Sequence, residues 1–133
     1  MLAVDTNVLI RALVDDPGAP DQCRTARRLL AREGRVHVTQ LVQAELVWVL
    51  LHSMRHPREA VIGALAQLEA HPAIQLQSPD AFSAALEAMR KGFDFADALI
   101  AAEAARMDLR LVTFDRKFAR HPGALLLSAQ LAD

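Results

Sequence analysis

The sequence predicts an α/β fold in which a short parallel sheet of about five strands is sandwiched between helices. Three observations lead there. Short apolar runs alternate along the chain with longer segments of helical periodicity. The runs are bounded by loops, as expected of strands covered on both faces in a parallel sheet. The 133 residues carry no internal repeat, low-complexity stretch or linker, so residues 1–133 are expected to form a single domain.

Leu2-Ala3-Val4 reads as a buried first strand ending at Asp5. Thr6–Val14 places Val8, Leu9, Ala12 and Leu13 at helical spacing, and Asp15-Asp16-Pro17-Gly18 breaks the pattern. A second helix runs from Asp21 to Arg32, with Cys23, Ala26, Leu29 and Leu30 as its apolar stripe and Gly34 as its stop. Val36–Val38 is a strand. Thr39 caps a long helix to about Met54, and Pro57 opens another to about Ala70, ended by His71-Pro72. Ile74–Leu76 is a third strand. Ser78 caps a helix from Pro79 to Lys91, and Asp94 opens one through Met107. Leu109–Thr113 is a fourth strand, Asp115–Ala119 a helical turn, and Ala124–Leu127 a last strand after the Pro122-Gly123 turn.

Composition narrows the class. Hydrophobic residues make up 53% and charged residues 23%, a globular balance. The single cysteine, Cys23, excludes an internal disulfide and a zinc–cysteine cluster, and points to a reducing compartment. The longest apolar run, Leu46–Leu51, is far short of the ~18 residues of a membrane helix. The N-terminus lacks a basic signal-peptide region, so a cytoplasmic protein without membrane contact is expected. The net charge of −1 gives no strong global pull on nucleic acid. If several carboxylates are gathered about a cation, however, the rest of the chain is net positive.

The acids are placed suggestively. Ligands of open parallel sheets bind beyond the carboxyl ends of the strands. Asp5 follows the first strand directly, and Asp115 follows Thr113 at the end of the fourth. Either could instead be a plain helix N-cap. Glu45 lies among Leu41, Val42, Trp48 and Val49 at i±3 and i±4, which predicts a carboxylate on an apolar, buried face, costly without a cation or donor. Asp94 and Asp97 share one face at a helix start, where a cap and a first-turn acid are also ordinary. Carboxylates converging in one cleft raise each other's pKa, and a hard divalent cation relieves them. Oxygen-only donors suit Mg²⁺ or Mn²⁺. The five histidines are scattered and read as surface or turn residues.

These residues resemble the PIN-domain nucleases. The resemblance rests on Asp5-Thr6-Asn7 after an N-terminal strand, Glu45 in the third helix, Phe95-Ala96-Asp97-Ala98-Leu99-Ile100-Ala101, and Leu111-Val112-Thr113-Phe114-Asp115. Within the family the chain most resembles VapC-type toxins of type II toxin–antitoxin pairs, over essentially its whole length. The resemblance implies a three-layer PIN-like fold and Mg²⁺- or Mn²⁺-dependent cleavage of RNA. By position it implies an acidic quartet of Asp5, Glu45, Asp97 and Asp115, supported by Thr113 and Asn7, with Asp94 as an extra acid. In that scheme Asp5 is the central ligand, Asp97 and Asp115 complete one side, and Glu45 positions or deprotonates the attacking water. A metal-bound water would be the nucleophile, leaving a 5′-phosphate and a 3′-hydroxyl. It further implies a homodimer and inhibition by a cognate antitoxin.

RNA also needs a positive rim. Arg24, Arg28, Arg32 and Arg35 form one stripe, read first as a solvated helix face. Arg116, Lys117 and Arg120 follow Asp115 at once and are the better phosphate contacts. The chain has no tyrosine, and only Phe93 and Phe95 flank the acids, so base stacking is not a strong theme. The Thr39–Met54 helix is apolar nearly all round, which suggests a dimer surface. Two other acidic-pocket enzymes fit poorly. A haloacid-dehalogenase-type phosphatase needs an Asp where Asn7 stands, and a receiver domain needs an acidic pair after the first strand and a phosphoacceptor Asp after the third, neither of which is present. The alternative is a non-enzymatic α/β interaction module with an incidental acidic cluster.

Overall fold

The computed structural model describes residues 1–133, and the chain resolves into two compact units, Met1–Pro79 and Asp80–Asp133. The fold class is α/β, with short parallel strands between helices, as the alternation predicts.

In the first unit the elements are β1 (Leu2–Ala3), α1 (Thr6–Leu13), α2 (Pro20–Glu33), β2 (Val36–Val38), α3 (Gln40–Trp48), α4 (Arg58–Ala70) and β3 (Ile74–Leu76). The strands pair in the order β1-β2-β3, all parallel, with Leu2 opposite Val36 and Val36 opposite Ile74. Val36 and Val38 of the central strand are fully buried. The first strand is less buried than its apolar sequence suggests. It pairs on one side only, and Leu2 is 45% exposed while Val4, just after it, is buried. Helix α1 packs on α2 and α3 through Leu9 and Ile10. Pro20 occupies the first turn of α2, and Gly34 closes it in the left-handed conformation at φ 70°, which glycine adopts without a Cβ clash.

The long helix expected to reach Met54 is interrupted. The α-helical hydrogen bonding of α3 stops at Trp48, and Val49–Ser53 continues as a π-helical turn in which the Met54 N–H donates to the Val49 carbonyl at 2.8 Å. Such insertions redirect the side chains that follow. Arg55, at φ 55°, then turns the chain out of the helix.

In the second unit the elements are α5 (Pro79–Arg90, beginning one residue before the boundary), α6 (Phe95–Ala105), β4 (Leu111–Thr113), β5 (Ala124–Leu126) and α7 (Ala129–Ala132). Strands β4 and β5 form a two-stranded parallel pair, Leu111 opposite Ala124, so the five strands occur as groups of three and two. The core is Phe82, Leu86, Met89, Phe95, Leu99 and Phe118, with Phe82 and Phe95 in edge-to-face contact at 5.6 Å. Strand β4 starts at Leu111 rather than Leu109 because Asp108 takes positive φ and the Leu109 N–H still caps the helix, donating to the Ala104 carbonyl. The helical turn after Asp115 is a 3₁₀ turn at Phe118–Arg120, and the short α7, capped by Ser128, was not expected from the sequence.

Candidate functional site

In the first unit, β1 delivers Asp5 to the start of α1. The Val4 N–H donates to the His37 carbonyl, closing the strand pairing, and Asp5 then caps the helix. Its Oδ1 accepts the Val8 N–H at 3.0 Å, while Oδ2 takes no hydrogen bond. The capping reading is therefore correct, yet it uses one oxygen and leaves the other facing solvent. Asn7 is exposed and makes no side-chain hydrogen bond, so nothing here shows it orienting Asp5. Thr6, between them, is buried with its Oγ1 unpartnered. Asp5 and Asn7 lie at one end of a groove of about 850 Å³ between α1 and α2, floored by Val8, Ala26 and Leu29 and rimmed by Arg11, Arg28 and Arg32.

Glu45 is exposed, not buried. Its neighbours are apolar as the spacing requires, but they lie on the solvent side: Leu41 is 84% and Trp48 60% exposed. The buried side of α3 carries Leu46 and Val47, with Leu50 following in the π turn, and also Gln43. Helical spacing alone does not reveal this inversion. The Gln43 amide is wholly buried, and its Nε2 donates to the carbonyls of Val38 at 3.2 Å and Gln77 at 2.9 Å, at the ends of β2 and β3. Gln77 in turn accepts the Gln40 N–H on its Oε1. This network anchors α3 to the strand ends and so fixes which face Glu45 occupies.

In the second unit, Asp94 caps α6. Its Oδ2 accepts the Asp97 N–H at 2.9 Å, which leaves Oδ1 without a hydrogen bond. Asp97 is half-buried in the first turn. Its carboxyl is pushed above its ordinary pKa, first by desolvation and then by the charges of Asp94 and Asp115. Asp94 and Asp115 therefore both act electrostatically on Asp97. Asp115 is held by the loop after β4: its N–H donates to Thr113 Oγ1 at 3.0 Å, and its Oδ1 accepts from the N–H groups of Lys117 at 2.9 Å and Phe118 at 3.1 Å. Thr113 is thus a positioning residue for Asp115. Arg116, Lys117 and Arg120 are exposed, and none is in an ion pair.

Behind this loop, Phe93, Phe118 and His121 form an aromatic cluster, with Phe118 and His121 stacked at 5.1 Å and 8°. His121 Nδ1 accepts the Gly123 N–H, and burial, then Lys91, lowers its pKa. His121 is therefore a packed structural residue rather than a merely solvated turn histidine. His37, half-buried in β2, likewise contacts Gln75, with His37 Nδ1 3.1 Å from Gln75 Oε1.

In the second unit the donor chemistry fits a hard divalent cation: carboxylates only, Asp94 and Asp115 each with one oxygen to spare, and the Asp97 carboxyl, whose ionisation burial and its neighbours oppose. No three His, Cys, Asp or Glu side chains are gathered into a ready-made metal cage. That is compatible with Mg²⁺, which keeps several waters and takes only one or two protein carboxylates.

A family model described as PIN domain matches residues 2–124. No curated protein matches the chain.

Proposed function

Because the chain belongs to the PIN domain family, whose members are in general metal-dependent nucleases, we propose that residues 1–133 act as one Mg²⁺- or Mn²⁺-dependent endoribonuclease domain. The observation that carries the reading is the family match over residues 2–124, and it is supported by the Asp97 carboxyl, whose pKa is raised by burial and then by the charges of Asp94 and Asp115. Asp97 and Asp115 would hold the ion through oxygens not engaged by backbone N–H groups. Asp5 and Glu45 complete the set of acids on which cleavage should depend. When bound, the ion supplies an activated water and charge stabilisation at the phosphoryl group. Glu45, exposed and unpaired, is assigned the role of positioning that water or taking its proton. Asp94 shares the charge, Thr113 holds the Asp115 loop, and Asn7 supports Asp5. Arg116, Lys117 and Arg120 are assigned to substrate phosphates. Water attack would leave a 5′-phosphate and a 3′-hydroxyl.

The finer reading is a VapC-type toxin of a type II toxin–antitoxin pair, acting in the cytoplasm as a homodimer. The exposed Leu41 and Trp48 support a protein-covered face on α3. The apolar floor of the groove beside Asp5 supports docking of an antitoxin segment, with a partner arginine neutralising the carboxylates. Inhibition by the neighbouring gene product that survives replacement of that product's arginines would count against this mode.

The test of the main reading is cleavage of a structured RNA by purified protein. Activity with Mg²⁺ or Mn²⁺, loss in EDTA, and loss in Asp97→Asn with folding intact are expected. A non-enzymatic interaction module would instead show no cleavage and no stabilisation by either ion, since only a bound ligand shifts unfolding.

A further inference from the structure

Phe114 is the most exposed phenylalanine in the chain, at 79%, and it stands directly before Asp115. The other phenylalanines of the second unit, Phe82, Phe93, Phe95 and Phe118, all make ring contacts. Phe114 makes none. It is not on a loose loop. The Thr113 carbonyl accepts the Leu127 N–H at 2.7 Å on one side, and Thr113 Oγ1 and Asp115 Oδ1 close the turn on the other. An aromatic face is thus held out to solvent on a backbone that has already lost its conformational freedom, which lowers the entropic cost of binding to it.

The charges near it in sequence point to one class of occupant. In the same unit Arg90 and Arg106 pair with nearby acids. Arg116, Lys117 and Arg120, within six residues of Phe114, do not. An exposed ring followed within six residues by three cations that make no ion pair suits a nucleobase and its adjoining phosphates better than an uncharged protein surface.

We propose that Phe114 is the stacking platform for an unpaired nucleobase of the substrate, with Arg116, Lys117 and Arg120 holding the adjoining phosphates. This rests on the ribonuclease reading and deepens it, because a ring reached by stacking requires a single-stranded stretch next to Asp115. The sequence expectation, in which base stacking is not a strong theme, rests on Phe93 and Phe95 and leaves out Phe114.

The test uses an RNA hairpin carrying 2-aminopurine either in its loop or in its stem, bound by the full chain in EDTA so that it is not cut. Wild type should quench the loop probe and leave the stem probe unchanged. Phe114→Ala should weaken loop binding by roughly tenfold to a hundredfold and abolish quenching, given the usual worth of a base–aromatic stack. Phe114→Trp should restore both, whereas Phe114→Leu, apolar but not aromatic, should not. Melting curves establish that each variant is folded. Unchanged affinity in Phe114→Ala, or full rescue by Phe114→Leu, overturns the proposal. So does a change of mass in light scattering with RNA binding intact, which would make Phe114 a protein contact. Wild type that binds no RNA would remove the ribonuclease reading along with it.

Discussion

Asp5 allows capping and catalysis to be separated by two substitutions at one position. Its Oδ1 accepts the Val8 N–H, so it performs a structural task that an asparagine oxygen performs about equally well. Asp5→Asn should therefore leave stability within a few tenths of a kcal/mol, while removing the charge. Asp5→Ala removes both. Losing an N-cap costs about 1 kcal/mol. For a chain of this length that lowers Tm by about 3–5 °C. Catalytically the two variants should be alike. If the carboxylate is needed to bind or polarise through a metal ion, its loss forfeits several kcal/mol of transition-state stabilisation, so cleavage should fall at least about a hundredfold in both. The assay pairs thermal melting in EDTA with initial rates of RNA cleavage in Mn²⁺. The expected pattern is a stable, inactive Asn variant and a less stable, inactive Ala variant. An Asn variant that cuts RNA at the wild-type rate would show that Asp5 only caps α1.

Three further outcomes are expected. A carboxyl with a raised native pKa keeps its proton longer when folded, so ionising it costs stability: the cost is absent below the unfolded pKa and full above the native one. In EDTA, Asp97→Asn should thus melt higher than wild type at pH 7, with the gap closing as pH falls through the carboxylate range; an equal gap at pH 3 would refute this cause. Gln43→Leu should lower stability by about 1 kcal/mol, read from denaturant midpoints, since it removes two hydrogen bonds donated by the buried amide but also relieves the unpartnered Oε1. Trp48→Arg, on the exposed face of α3, should shift the chain toward monomer in light scattering at tens of micromolar without lowering Tm in dilute protein; a wild type that is already monomeric would end the dimer reading.

Much of the fold was legible because its punctuation is local. Gly34, Thr39 and Asp94 act within one helical turn of themselves, and each does what its chemistry predicts. The acids after strands were legible for the same reason, since Asp5 and Asp115 each close a turn through their own oxygens. Helix α3 was not. When every face is apolar, periodicity cannot choose which one is buried. The choice is made by Gln43, whose partners Val38 and Gln77 lie outside the helix, one of them 34 residues away in sequence. A polar residue therefore points inward while Leu41 and Trp48 point outward. The π turn after Trp48 also depends on tertiary context, for no proline or glycine marks it.

The acids fall into two physical kinds. Asp5, Asp94 and Asp115 are each fixed by backbone N–H groups that accompany the start of a helix or turn, so their orientation is set when that local segment folds. A fixed carboxylate with one free oxygen is suited to holding a cation, because little further ordering is needed on binding. Glu45 has no such restraint. It stands on an exposed helix face with no hydrogen bond or ion pair, and its longer side chain keeps its rotamer freedom. Holding a metal would cost it that freedom, whereas accepting a proton from a nearby water demands less ordering. The division suits Asp115, fixed with one oxygen free, to the ion-holding role proposed for it with Asp97, and suits Glu45 to the role on water proposed for it. It also explains why asparagine is the informative substitution at the first kind of position and glutamine at the second.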